Sequence, residues 1–183
     1  MNIAKLSLIR NRFFAGKLLT PEDLELEQQY FREKLKRHNR YLHGFGVVTG
    51  LAVSQNASNV IVSEGLAIDC EGNEIIVTDP LVLATPLPPA SQSNIYLALR
   101  YVENERDPVP VPASDDFDAP AQNSRIEETF IAEFRKENIN QGHRHIKGQW
   151  RSCGEPHGMV IARLRYTCGQ WRLDRRYRRP PVK

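Results

Sequence analysis

Residues 24 to 42 carry a pattern that steps by four and three: Leu24, Gln28, Phe31, Leu35, His38 and Leu42. That spacing predicts an amphipathic helix with a short seam in which two members are polar. Its start is signalled by Thr20 as N-cap, Pro21 at the first helical position and Asp23 three residues after the cap. Glu22, Asp23, Glu25 and Glu27 fall near the positive end of the helix dipole, and Lys36, Arg37 and Arg40 near the negative end. Tyr30 and Tyr41 add an aromatic edge. Such a seam fits packing on its own domain, or against another copy or another subunit, and its three turns do not separate these.

At "HGFGVVTGLAV", residues 43 to 53, the period changes. Glycines now stand among Phe45, Val47, Val48, Leu51 and Val53. Gly44 is expected to stop the helix in a left-handed conformation. Gly46 and Gly50 are expected to permit a bulge or a close backbone approach. Short β-branched runs follow, separated by turn formers, and predict strands near 46–54, 60–63, 66–69, 74–77, 81–84 and 95–102. Further strands are expected at 125–134, 157–166 and 170–173. Closely spaced strands without helical crossovers imply antiparallel pairing. The expected fold is therefore mainly β: an N-terminal α-helix, then an antiparallel β-sandwich or barrel with long polar loops. We divide the chain into an arm and helix (1–44), a β-domain (45–173) and a basic tail (174–183). Within the β-domain, 103–124 reads as a long acidic, proline-rich loop.

Apolar residues make up 40% and charged residues 26% of the 183, which fits a folded chain. No run of eighteen apolar residues predicts a membrane span, and the N-terminus does not read as a secretory signal. The net charge is only +3, but the charges are segregated. Residues 32–40 and the tail from Arg172 are basic, while 103–128 is acidic. Opposite patches favour docking between surfaces. Three widely spaced cysteines, Cys70, Cys153 and Cys168, do not form a disulfide framework and point to a reducing compartment.

The chain holds no phosphate-binding loop, nucleophile elbow, HExxH or CxxC motif. His143, His145, Cys153, His157 and Cys168 offer zinc-type ligands, but not at zinc-finger or zinc-ribbon spacing. Cys70 adjoins a hairpin turn with no base directed toward it. Neither a metal, a cofactor nor a catalytic residue is expected. Trp171 and Tyr177 interleave with arginines, as stacking on nucleic acid requires, yet no nucleic-acid-binding motif accompanies them.

"FFAGKLLTPEDLELEQQYFREKLKRHNRYLHGFGVVTGLAV" and "VSEGLAIDCEGNEIIV" carry a family resemblance. They resemble a family of small bacterial proteins associated with phage-tail-like contractile injection systems of the extracellular or thylakoid type. The shared features are Phe14 to Thr20, the acidic-then-basic helix, the hinge Asn39 to Val48, and the Gly65 to Gly72 hairpin. That hairpin also resembles segments of phage tail-fibre and baseplate proteins. Similar proteins often carry cysteines in the loop after the Tyr-Val-Glu strand; "ASDDFDAPAQ" has none. The resemblance implies a non-enzymatic structural subunit at a baseplate, fibre-attachment or cap position. Its partners would be other particle subunits and further copies of itself, without nucleic acid or a membrane span. Synthesis in the cytoplasm is expected, into a particle that is released or membrane-associated. We assign the partner contacts to Leu24, Phe31, Leu35 and Leu42 on the helix, Arg37 and Arg40 at its end, and Arg175, Arg176, Arg178 and Arg179 in the tail. Gly44, Gly46 and Gly50 form the hinge. The alternative is a β module that binds carbohydrate or another surface ligand, with Tyr96, Tyr101, Trp150 and Trp171 as stacking faces.

Overall fold

A computed structural model describes residues 9–56, 58–87, 94–110, 121–141 and 158–182. Helix α1 spans Pro21–His38 and is capped as its sequence dictates. The Thr20 hydroxyl accepts from the Asp23 N–H, and the Asp23 carboxylate accepts from the Thr20 N–H. The helix then widens into a π-helical turn, Asn39–His43. Leu42 lies in this turn, beyond the end of α1.

Among the described residues ten strands follow: β1 (Gly46–Gly50), β2 (Val53–Gln55), β3 (Asn59–Val62), β4 (Gly65–Ile68), β5 (Glu74–Val77), β6 (Leu81–Ala84), β7 (Asn94–Val109), β8 (Gln122–Arg135), β9 (Met159–Thr167) and β10 (Gln170–Leu173). They form three antiparallel sheets, ordered β1-β4-β5, β2-β3-β6 and β10-β9-β7-β8. One apolar cluster draws on all three, including Leu51, Val60, Val62, Ile75, Val77, Leu97, Leu99, Met159 and Leu164. The helix-then-antiparallel-β fold is thus as the sequence implies.

Two boundaries differ from expectation. The strand predicted at 46–54 is two strands in two sheets. Gly50 and Leu51 both have positive φ, 61° and 53°, and the chain turns there from the first sheet to the second. Leu51 accepts this uncommon conformation while its side chain is fully buried and its N–H donates to the Glu64 carbonyl at 2.9 Å.

The second correction concerns the loop expected at 103–124. Residues 103–109 belong to β7 and 122–124 to β8, and the two strands pair continuously to Val109 opposite Gln122. Two of the acidic groups here, Asp107 and Glu127, form ion pairs across the hairpin. Arg106 meets Glu127 at 2.6 Å, Arg125 meets Asp107 at 3.2 Å, and Ser124 donates to the Asp107 carbonyl. Only 111–120 of the expected loop lies outside the described residues.

Candidate interaction surface

The geometry of the helix is fixed by its C-terminal end. Asn39 is 4% exposed, and its side-chain amide donates to the Gly72 carbonyl at 3.1 Å and to the Glu74 carboxylate at 3.2 Å. Gly72 sits in the β4–β5 hairpin turn directly against the last helical turn. A Cβ there would overlap the Lys36 carbonyl oxygen, so no other residue permits this approach. The turn is itself organised by Asp69, which is 1% exposed and accepts from the Glu71 and Asn73 N–H groups and from the Asn73 amide. Buried polar groups satisfied in this way fix one geometry. The hinge and hairpin motifs of the sequence are therefore two halves of one joint.

Arg32 extends this contact toward Glu103 at 3.5 Å, and Lys36 lies 5.9 Å from the centre of the Tyr101 ring. At the other end the arm folds along the helix. The Asn11 backbone N–H donates to Glu27, its side chain to the Asp23 carbonyl, and Lys17 meets Asp23 at 3.0 Å.

None of the residues of α1 is buried. Leu24, Phe31 and Leu35 are 54%, 58% and 51% exposed, and Leu42 in the π turn is also exposed. Phe13, Phe14, Leu18 and Leu19 of the arm are exposed beside them. Single apolar surface residues are ordinary; three on one seam of a capped helix make this face a candidate interaction surface.

Gly44 has positive φ as expected, 76°, but its ψ of −150° is not that of a left-handed cap. It occupies the extended positive-φ region reserved to glycine, and its N–H closes the π turn on the Asn39 carbonyl at 3.0 Å. Gly46 makes the close approach predicted for it, and the approaching chain is the C-terminal tail. Gly50 packs against the Glu64 backbone.

The tail is extended, as its prolines imply, but it binds its own β1. Val47 donates to the Pro180 carbonyl at 2.9 Å, and Val182 donates to the Val47 carbonyl at 3.2 Å. Arg179 donates to the Leu51 carbonyl, bracing the point where the chain changes sheet. The tail begins at Asp174, whose side chain is only 6% exposed between Arg163 and Arg165, the latter at 2.9 Å. Burial pushes this carboxyl up, but the Arg176 N–H and the two guanidinium groups hold it below the usual carboxylate range. Asn39, Asp69, Gly72 and Asp174 were not among the predicted contact residues. Asn39 and Gly72 bound the hinge and hairpin motifs and Asp69 lies within the latter, but Asp174 had no advance signal.

Arg175, Arg176 and Arg178 are exposed. With Arg172, Arg175, Arg178 and Arg179 border an open cleft of about 810 Å³ between β2, β10 and the tail. Gln55 closes its floor, donating to the Trp171 carbonyl and accepting from the Leu173 N–H. Among the described residues, none of these four arginines pairs with a carboxylate, nor do Arg37 and Arg40.

Three of the four aromatic residues considered for a ligand, Trp171, Tyr96 and Tyr101, have contacts within the chain. Trp171 is buried, donates to the Pro86 carbonyl and packs edge-on to Tyr166. Tyr96 packs on Tyr177, whose ring also carries Arg163, and Tyr101 lies beside Lys36. Trp150, His143, His145, Cys153 and His157 lie outside the described residues. Among the described residues no three potential metal ligands come together, and no helix is long and apolar enough to cross a membrane.

The chain matches no protein-family model and no curated protein in sequence. Its fold is similar to that of a chain in a structure of the baseplate complex from the type VI secretion system, with a TM-score of 0.56 at 13% identity. The match covers 96% of this chain and 42% of that one. A crystal structure of TssK gives a TM-score of 0.47 at 16% identity, covering 91% and 41%. A chain of the TssK-TssF-TssG baseplate subcomplex of the same secretion system gives 0.46 at 14%, covering 94% and 62%. At these identities the likeness is one of fold. The present chain spans less than half the length of the first two.

Proposed function

We propose that this protein is a structural subunit of a phage-tail-like contractile injection system, at a baseplate, fibre-attachment or cap position, acting through protein–protein contacts. The observation that carries this reading is the state of α1. A capped helix is held at one angle by a buried joint, yet it leaves Leu24, Phe31 and Leu35 uncovered. A domain has no reason of its own to fix an amphipathic helix so firmly and cover none of its seam. A subunit that presents the seam to a neighbour does.

The type VI baseplate likeness supports the same reading at the level of fold. So does the charge layout. Arg37, Arg40 and the tail arginines offer cationic surface to acidic neighbours, which steers assembly and fixes register. Nothing in this mechanism calls for catalysis: the protein works by presenting a rigid apolar face flanked by charge.

The test is a tagged pull-down from native lysate, with sedimentation and mass spectrometry of what pellets. The protein is expected to travel with sheath, tube and baseplate proteins, and Leu35→Asp to release it. A small species without partners at the top of the gradient would contradict the proposal.

A further inference from the structure

The seam of α1 has a charge pattern that selects its partner. Taking Leu24 and Phe31 as d positions and Gln28 and Leu35 as a positions, the flanking e positions are Glu25 and Arg32, and the g positions Glu27 and Lys34. The flanks are thus acidic in the first half of the helix and basic in the second. Glu25, Arg32 and Lys34 are exposed, and Glu27 is half-buried where the arm crosses it.

We propose that α1 pairs with α1 of a second copy, antiparallel, about a two-fold axis near its middle. In that register Leu24 faces the partner's Leu35, and Gln28 faces the partner's Phe31. Glu25 then meets the partner's Arg32, and Glu27 the partner's Lys34, each twice by symmetry. Four attractive flanking pairs result. A parallel pair brings together only Glu27 and the partner's Arg32, so charge favours the antiparallel form. The partner surface is self-complementary, as a two-fold interface requires. Arg32 also reaches Glu103 of its own chain at 3.5 Å through a partly exposed contact, and its guanidinium has donors for both carboxylates. This inference rests on reading α1 as a contact surface, and names the occupant.

The experiment is sedimentation equilibrium of the purified full chain with charge-reversed variants. The wild type is expected to be a dimer. Glu25→Lys with Glu27→Lys, and separately Arg32→Glu with Lys34→Glu, each weaken association at least tenfold. All four substitutions together restore it, which also controls for any effect of one reversal on the helix or on Glu103.

Orientation is read from cysteine cross-linking in a background with Cys153→Ser and Cys168→Ser. Leu24→Cys with Leu35→Cys together yields a covalent dimer on oxidation, and Leu24→Cys alone does not. A wild-type monomer at all concentrations, a failed four-fold rescue, or self-cross-linking of Leu24→Cys overturns the proposal. A monomer that still sediments with the particle through α1 overturns the pairing and leaves the structural role standing. A dimer that never joins a particle does the reverse.

Discussion

Asn39 carries more of this architecture than its residue type announces. In sequence it is one polar residue in a polar helix. In the fold its amide ties the helix to the hairpin turn at Gly72 and to Glu74 at the start of β5. Replacing it with alanine leaves the Gly72 carbonyl without this donor, and is expected to cost about 2 kcal/mol in a urea titration. Gly72→Ala is expected to cost more, because the added methyl meets the Lys36 backbone, which cannot move aside as a flexible side chain would. Asp174 belongs to the same scale. Its carboxyl titrates lower when folded than when unfolded, so its contribution is fully present above the ordinary carboxylate pKa of about 3.9 and is lost as pH falls below that. Asp174→Asn should therefore lower stability at neutral pH and flatten the acid limb of the stability curve. An unchanged acid limb would show that the pairing with Arg163 and Arg165 is not formed. None of these three residues was legible as a site, because their roles depend on partners 33, 35 or 11 positions away.

At the scale of elements, the sequence was most readable where one periodicity ran against one kind of environment. Helix α1 has a cap, a dipole-matched charge gradient and a 3.6-residue seam, and its start falls at the predicted position. Strands β3 to β6 are short, β-branched and bounded by turn residues, and they lie close to their predicted ranges. The far half of the β7–β8 hairpin was not readable. Both of its faces are exposed, so it shows no alternation, and Pro108 together with its acidic residues imitates a loop. Its order comes from cross-strand pairs that only the register reveals. The tail's docking on its own domain was not readable either: its composition shows basic side chains, while its backbone hydrogen-bonds to Val47. Deleting residues 180–183 is expected to remove the protection of the Val47 N–H in hydrogen exchange, while the core amide of Leu97 keeps its protection. Equal protection of Val47 in both proteins would place the tail elsewhere.

For the whole molecule, the proposed role makes the β-domain a platform and the helix what it presents. The joint at Asn39 and Gly72 sets the angle, the arm braces the far end, and the seam faces outward. Leu35→Asp should accordingly leave stability within about 0.5 kcal/mol, as an exposed substitution does, while abolishing association. That separation of stability from assembly is the signature of an interaction face. Mainly β architecture and the preceding helix were visible in the pattern of glycines and β-branched residues. The sharing of one core by three small sheets was not, since it depends on the sheet change at Gly50 and Leu51.

The most direct measurement is sedimentation of the tagged protein from native lysate beside its Leu35→Asp variant, with both folded proteins matched in expression. The account predicts wild-type protein in the fast-sedimenting fraction with sheath, tube and baseplate proteins, and the variant left at the top. If the wild type also stays at the top as a small species, the structural role in a particle is wrong.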